Sequence, residues 1–289
     1  MLLLLLKRKA LSGKNSVLAW SRWELVRNAA FAMAGFGLLF GLHVGFMRLL
    51  AYLETVQLIG TLLIWKLTAM LMLMTLSMVG ISSLLTSLTT LYYSFDLRFL
   101  MNAPLTLRSI FVEKSLESLF FASWMIGLVL VPYFAALARV EGYGWGFFGA
   151  FALVIPPFLA LAGSVGLGFT LALLYLFPSS RTRDALWVLS SLSLTLIYGL
   201  IRFAEPEKLI RPDALRVVAE YLNYLQAPTA PSLPSWWATK ALRAAAAGRW
   251  TEFWRLEAQL VLAAAGVYAA LLWASSRLYF APLTAEDVL

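Results

Sequence analysis

The sequence predicts an all-α, polytopic membrane protein with six transmembrane helices, a cytoplasmic coupling helix between spans two and three, and interfacial helices on the outer face between spans five and six. Three observations carry this. Hydrophobic residues make up 61% of the 289 residues and charged residues only 13%, where a soluble domain carries about 25% charged residues. The chain divides into uncharged runs close to the ~20 residues that cross the hydrocarbon. Basic residues gather at alternate ends of those runs, as cytoplasmic loops require. The net charge of +8 is therefore topology, and no nucleic-acid partner is expected. Eleven Trp, eleven Tyr and nineteen Phe suit a chain that meets two membrane interfaces.

Residues 1–28 form a cytoplasmic segment. Lys7, Arg8, Lys9, Lys14, Arg22 and Arg27 oppose Glu24 alone, with Trp20 and Trp23 placed for the interface. The leucines of the first six residues precede the basic group, the reverse of a signal peptide, so no cleaved signal is expected. Ala29 to Met47 is the first span, and its Gly37, Gly41 and Gly45 recur every four residues, a groove that invites a close-packed helix. The second apolar run, from Thr55 to Phe95, is broken only by Lys66; it gives one span from about Leu58 to Leu84 and a helical extension or turn to Ser94.

Residues 92–118 are the most patterned polar interruption. Ser94 can cap a short rod with Leu97, Leu100 and Met101 on one face and Asp96 and Arg98 on the other. Pro104 stops it, and Thr106 offers the cap of the helix that re-enters the bilayer. Such a rod either docks a cytoplasmic partner or lies on the lipid surface. The docking reading assigns Phe95, Asp96, Leu97, Arg98, Phe99, Leu100 and Met101 to the contact. Leu119 to Leu137 is the third span, preceded by Glu113, Lys114 and Glu117. No charge appears from Gly142 to Ser180; this is one span, kinked or broken at Pro156 and Pro157. Ala185 to Ile201 is the fifth. Residues 203–256 form an outer-face segment with helices at Asp213 to Leu225 and Ser235 to Ala247, the latter ended by Gly248 and held at the surface by its tryptophans. Ala258 to Ser276 is the sixth span. Both termini are then cytoplasmic, the membrane being the inner (cytoplasmic) membrane.

The absence of cysteine and the single histidine exclude thiol catalysis, disulfides and a self-contained metal centre. No G-x-x-x-x-G-K-[ST] pattern occurs, so nucleotide hydrolysis is expected in a partner, with no catalytic residue, cofactor or metal in this chain. The spans as drawn hold no Asp or Glu in their apolar interior, which disfavours proton-relay transport. Gly163, Ser164 and Gly166 are helix-packing residues before they are a hydrolase motif. Lys66 is the exception in depth: it shares a polar pocket with His43, a candidate translocation pocket, or it snorkels to the interface.

The run SFDLRFLMNAPLTLRSIFVEKSLES, followed by VPYFAAL, is similar to the cytoplasmic segment of bacterial ABC exporter permeases of the second type, where a short coupling helix precedes the third span. RFAEPEKLIRP and LPSWWATKALRAAAAG resemble the outer segment of one branch of that family. The resemblance implies that residues 1–289 are one permease domain moving an unidentified substrate. It also implies two partners in the lipid bilayer, a separate ABC ATPase subunit supplying ATP and magnesium and a second six-span half, as homodimer or heterodimer. Members of the branch often carry both halves in one chain, which this sequence does not. The alternative is a membrane scaffold or assembly subunit that binds a cytoplasmic partner and transports nothing.

Overall fold

The structure is a computed structural model, described over residues 21–55, 60–92, 106–176 and 231–278, with Ser191, Thr195 and Tyr198 described singly. The described residues form helices and no strand: α1 (Arg22–Glu54), α2 (Gly60–Tyr92), α3 (Leu107–Val140), α4 (Trp145–Leu176), α5 (Pro234–Ala246) and α6 (Trp250–Leu278). All but α5 are long and apolar enough to cross a membrane, which makes five candidate spans among the described residues. The expected fifth span, Ala185 to Ile201, lies outside them except at three positions, where Thr195 Oγ1 donates to the Ser191 carbonyl at 2.8 Å. The expected helix at Asp213 to Leu225 lies outside them altogether.

α1, α3 and α6 start earlier and end later than their apolar runs. α1 begins at Arg22 because Ser21 and Glu24 make a capping box: Ser21 Oγ accepts from the Glu24 amide at 3.3 Å and Glu24 Oε2 accepts from the Ser21 amide at 2.8 Å. α2 is one unbroken helix. α3 has 34 residues, a length of ~50 Å against a hydrocarbon core of ~30 Å, so its ends extend well past the apolar centre. α4 is a single span as expected, but the break at Pro156 and Pro157 is absent, since the helix runs through both prolines for 32 residues. Each proline withholds an amide from a carbonyl one turn back. Burial of Val154, Ile155 and Phe158 around them holds the helix together. α6 starts at Trp250, not Ala258, and this draws Glu257 into the buried stripe of a spanning helix. The sixth span as drawn from Ala258 leaves this buried acid out.

α1 and α3 run one way; α2, α4 and α6 run the other. The end where α1 starts and α3 begins is called proximal here, and the end holding the 140–145 turn, α5 and Trp250 is called distal. α4 lies at the centre, packed on α2, α6, α5 and α3, whereas α1 rests on α3 and to a lesser extent on α2. Two apolar clusters fill the bundle. A large distal one gathers Trp65, Phe134, Phe147, Leu242, Phe253 and their neighbours, and a small proximal one joins Leu91, Phe111, Leu167, Leu171 and Leu271. Between them α2 and α4 approach backbone to backbone. A Cβ on Gly166 would collide with the Gly80 carbonyl and come within 2.9 Å of Ser83 Cβ. Ser83 Oγ donates to the Gly163 carbonyl at 2.6 Å and Thr170 Oγ1 to the Leu84 carbonyl at 3.0 Å. The small residues of α4 thus serve packing.

The glycine groove of α1 has a different outcome. A Cβ at Gly37, Gly41 or Gly45 would meet nothing within 4 Å, so the expected close neighbour is absent among the described residues. The reason is rotational: α1 turns His43, Phe46 and Leu50 to the bundle, and the glycines fall outside that stripe.

α5 is short and half polar, with Pro234 in its first turn and Gly248, at φ +70, terminating the hairpin to α6. Its inner face, Ser235, Ala238, Thr239, Ala241, Leu242, Ala244 and Ala245, is buried. It is embedded in the distal cluster against α2, α4 and α6, which is a firmer seat than a surface helix needs.

Candidate functional site

The expected coupling residues Phe95 to Met101 lie outside the described residues, but the start of the next helix, α3, is defined. Thr106 has the extended backbone of an N-cap (φ −73, ψ 137), yet its hydroxyl pairs with Ser109 Oγ at 2.7 Å and caps no amide. One turn on, α3 turns polar groups inward. Lys114 is buried and pairs with Glu117 at 3.3 Å. Ser115 Oγ donates to the Val112 carbonyl at 3.0 Å and, its own hydrogen so used, accepts from Tyr268 of α6, 2.7 Å away. Ser118 and Ser87 of α2 share a hydrogen bond of 2.8 Å in which either is donor. The first turns of α3 are therefore tied to α6 on one side and α2 on the other by hydroxyl contacts in an apolar setting, where a lost partner is hard to replace. The sequence places Glu113, Lys114 and Glu117 here; the serine and tyrosine pairings join residues as far apart as Ser115 and Tyr268, and single-chain periodicity does not reveal them.

The two residues of the expected translocation pocket stand in the distal half. His43 Nδ1 donates to the Pro132 carbonyl of α3 at 3.1 Å, a carbonyl having no hydrogen to give. That seam continues through Tyr133, whose ring meets Phe46 edge-on at 5.2 Å and whose hydroxyl lies 2.7 Å from Thr68 Oγ1 of α2. Lys66 is half-buried and sits half a helical turn from Ile64 and Thr68, the α2 residues that face α3. His43 thus belongs to the seam of α1 with α3.

At the distal rim, Tyr143 donates to Glu141 Oε2 at 3.3 Å. Burial first, then the Glu141 charge and this hydrogen bond, push the Tyr143 hydroxyl up to about 12, against opposing pulls from Trp65 and Arg243. Glu252 takes both Arg249 at 2.9 Å and Lys240 at 3.5 Å, and Lys240 also lies 4.6 Å over the Trp236 ring. Among the described residues no group of three His, Cys, Asp or Glu side chains could hold a metal ion.

A family model described as "Putative ATP-binding cassette" matches residues 21–287. The chain belongs to that family. No curated protein and no solved structure matches it. Membership in an ABC family with five apolar helices fits an ABC-type membrane protein. It also overturns one expectation, that this chain has no part in nucleotide binding: the family's description points to ATP binding in the region that the model covers. The expectation rested on one missing phosphate-loop pattern, and backbone amides at helix starts or in turns hold phosphate without it.

Proposed function

We propose that this ABC-family chain is the membrane-spanning permease of an exporter, driven by an ABC ATPase subunit that docks on residues 95–101 from the cytoplasm. The observation that carries the reading is the double tie of α3 immediately after that segment, Ser115 to Tyr268 and Ser118 to Ser87. A push on the segment reaches α3 first and, through those bonds, α2 and α6 together. A sixth crossing is part of the proposal. It is supported by the end of α4 and the start of α5 lying at opposite ends of the bundle. The proximal end is then cytoplasmic, and a second copy or homologous half completes the translocation path.

The test is Leu97→Ala with Leu100→Ala in membranes where the variant reaches the normal level. Burial of one leucine at a contact contributes ~1.5 to 3 kcal/mol, roughly one to two powers of ten in affinity. Recovery of the ATPase with the double variant should therefore collapse, and ATP-driven substrate efflux with it. Full recovery and efflux would overturn the coupling assignment; recovery lost with no efflux by the wild type would favour a scaffold. ATP binding by the chain alone, to which the family's description points, is measured in the same preparation by photo-crosslinking.

A further inference from the structure

Glu257 is the acid that the apolar runs conceal. It is 6% exposed, in the second turn of α6, on the same stripe as the buried Phe253, Leu256, Leu260 and Ala264. Its Oε2 is buried and accepts no hydrogen bond. The nearest acid along the helix is treated differently, since Glu252 holds Lys240 and Arg249. Arg255 is exposed and lies nearly opposite Glu257 around α6, and Arg243 is exposed on α5. An isolated carboxylate removed from water carries a large desolvation cost unless a positive group joins it. The described residues supply no such group.

We infer that Glu257 is the recognition site for the cationic group of an apolar, singly charged organic substrate, such as a lipophilic ammonium or phosphonium ion. The inference rests on the permease reading and names its substrate class. The carboxylate meets the charge, and the rings and aliphatic side chains beside it suit an apolar body. An intramembrane acid is a natural place for such a contact. Access is lateral: Trp254 and Val261, about one turn before and after Glu257 on α6, are 56% and 45% exposed. An amphiphile dissolved in the bilayer reaches it without crossing water. Metal binding is disfavoured because no three ligating side chains gather among the described residues.

The experiment uses the full chain in nanodiscs of zwitterionic lipid, without ATP or partner, and measures equilibrium binding of radiolabelled tetraphenylphosphonium. The wild type should bind saturably. Glu257→Gln, of nearly the same shape, should weaken binding by at least about 30-fold, the loss that accompanies removal of one member of a buried charge pair. Glu257→Asp should retain binding. Glu252→Gln, which alters a carboxylate already paired, should leave it unchanged, and tetraphenylborate, equal in size and opposite in charge, should not distinguish wild type from Glu257→Gln. Equal phosphonium binding by wild type and Glu257→Gln, or no saturable binding by the wild type, overturns the inference. Glu257-dependent binding with no ATP-driven efflux would instead sink the permease reading and leave the site standing, while efflux indifferent to Glu257→Gln would do the reverse.

Discussion

The hydroxyl of Tyr133 donates to Thr68 Oγ1 across 2.7 Å, and the direction of that bond is fixed because Thr68 donates its own hydrogen to the Ile64 carbonyl at 2.8 Å. Both residues are buried. The pair joins α3 to α2 one residue from the carbonyl that His43 holds, so three helices meet on one polar thread.

Removing the two ends of that bond should not cost the same. Tyr133→Phe deletes a donor and leaves Thr68 with its backbone bond, a loss of about 0.6 kcal/mol by the average for helix contacts in membranes. Thr68→Val strands the Tyr133 hydroxyl in an apolar core, which costs ~1 to 3 kcal/mol. Reversible unfolding in mixed micelles measures both. The double variant should recover part of the Thr68→Val loss; a double variant worse than the sum would contradict the assigned direction.

Glycines on α4 and α1 should respond in opposite ways to a methyl group. At Gly166 a Cβ meets the Gly80 carbonyl and Ser83, and the backbones must part. Gly166→Ala should destabilise by ~1 to 3 kcal/mol. At Gly37 a Cβ meets nothing within 4 Å, so Gly37→Ala should be neutral or slightly stabilising, alanine being the better helix former. Thermal scans of the two detergent-purified variants decide it.

Much of the helical architecture is legible in the sequence, because five of its long apolar runs return as long apolar helices among the described residues. The helix ends are not, since α1 is extended by a capping box and α6 by a turn that Gly248 terminates upstream of the apolar run. The second error matters more. Counting the last span from Ala258 leaves Glu257 outside it, and only the packed helix reveals the acid as buried. The continuity of α4 through Pro156 and Pro157 is illegible for a related reason: the proline rule is local, and the packing that overrides it comes from α2, α5 and α6. The tie of Ser115 to Tyr268 spans most of the chain and has no sequence signature.

Alkaline pH should test Tyr143. Its hydroxyl is raised to about 12 in the fold and titrates near ~10 when unfolded. The folded state holds the proton more tightly. Stability is therefore unaffected by this group below about pH 10 and is lost as pH rises through 12, since the unfolded chain releases the proton first. Melting of wild type and Tyr143→Phe from about pH 9 to pH 12 should diverge, with the wild type falling more steeply. Parallel curves would show that Tyr143 does not titrate differently in the two states.

Topology is checked by single cysteines in a chain that has none of its own. Lys14→Cys, Arg108→Cys and Arg183→Cys should react with an impermeant maleimide only from the cytoplasmic side, and Pro231→Cys only from the outside. Reaction of Arg108→Cys from outside would place the proximal end outside and sink the coupling proposal.

The position of α1 at the edge of the bundle bears on biogenesis. Its main partner, α3, is synthesised dozens of residues later, so α1 must leave the translocation machinery and wait in the bilayer alone. A solitary helix has no neighbour to satisfy its first amides. The Ser21 and Glu24 box does this from within. By the same logic α1 is the element whose departure disturbs least, and α4, on which α2, α3, α5 and α6 all pack, is the one whose delay would stall the whole assembly.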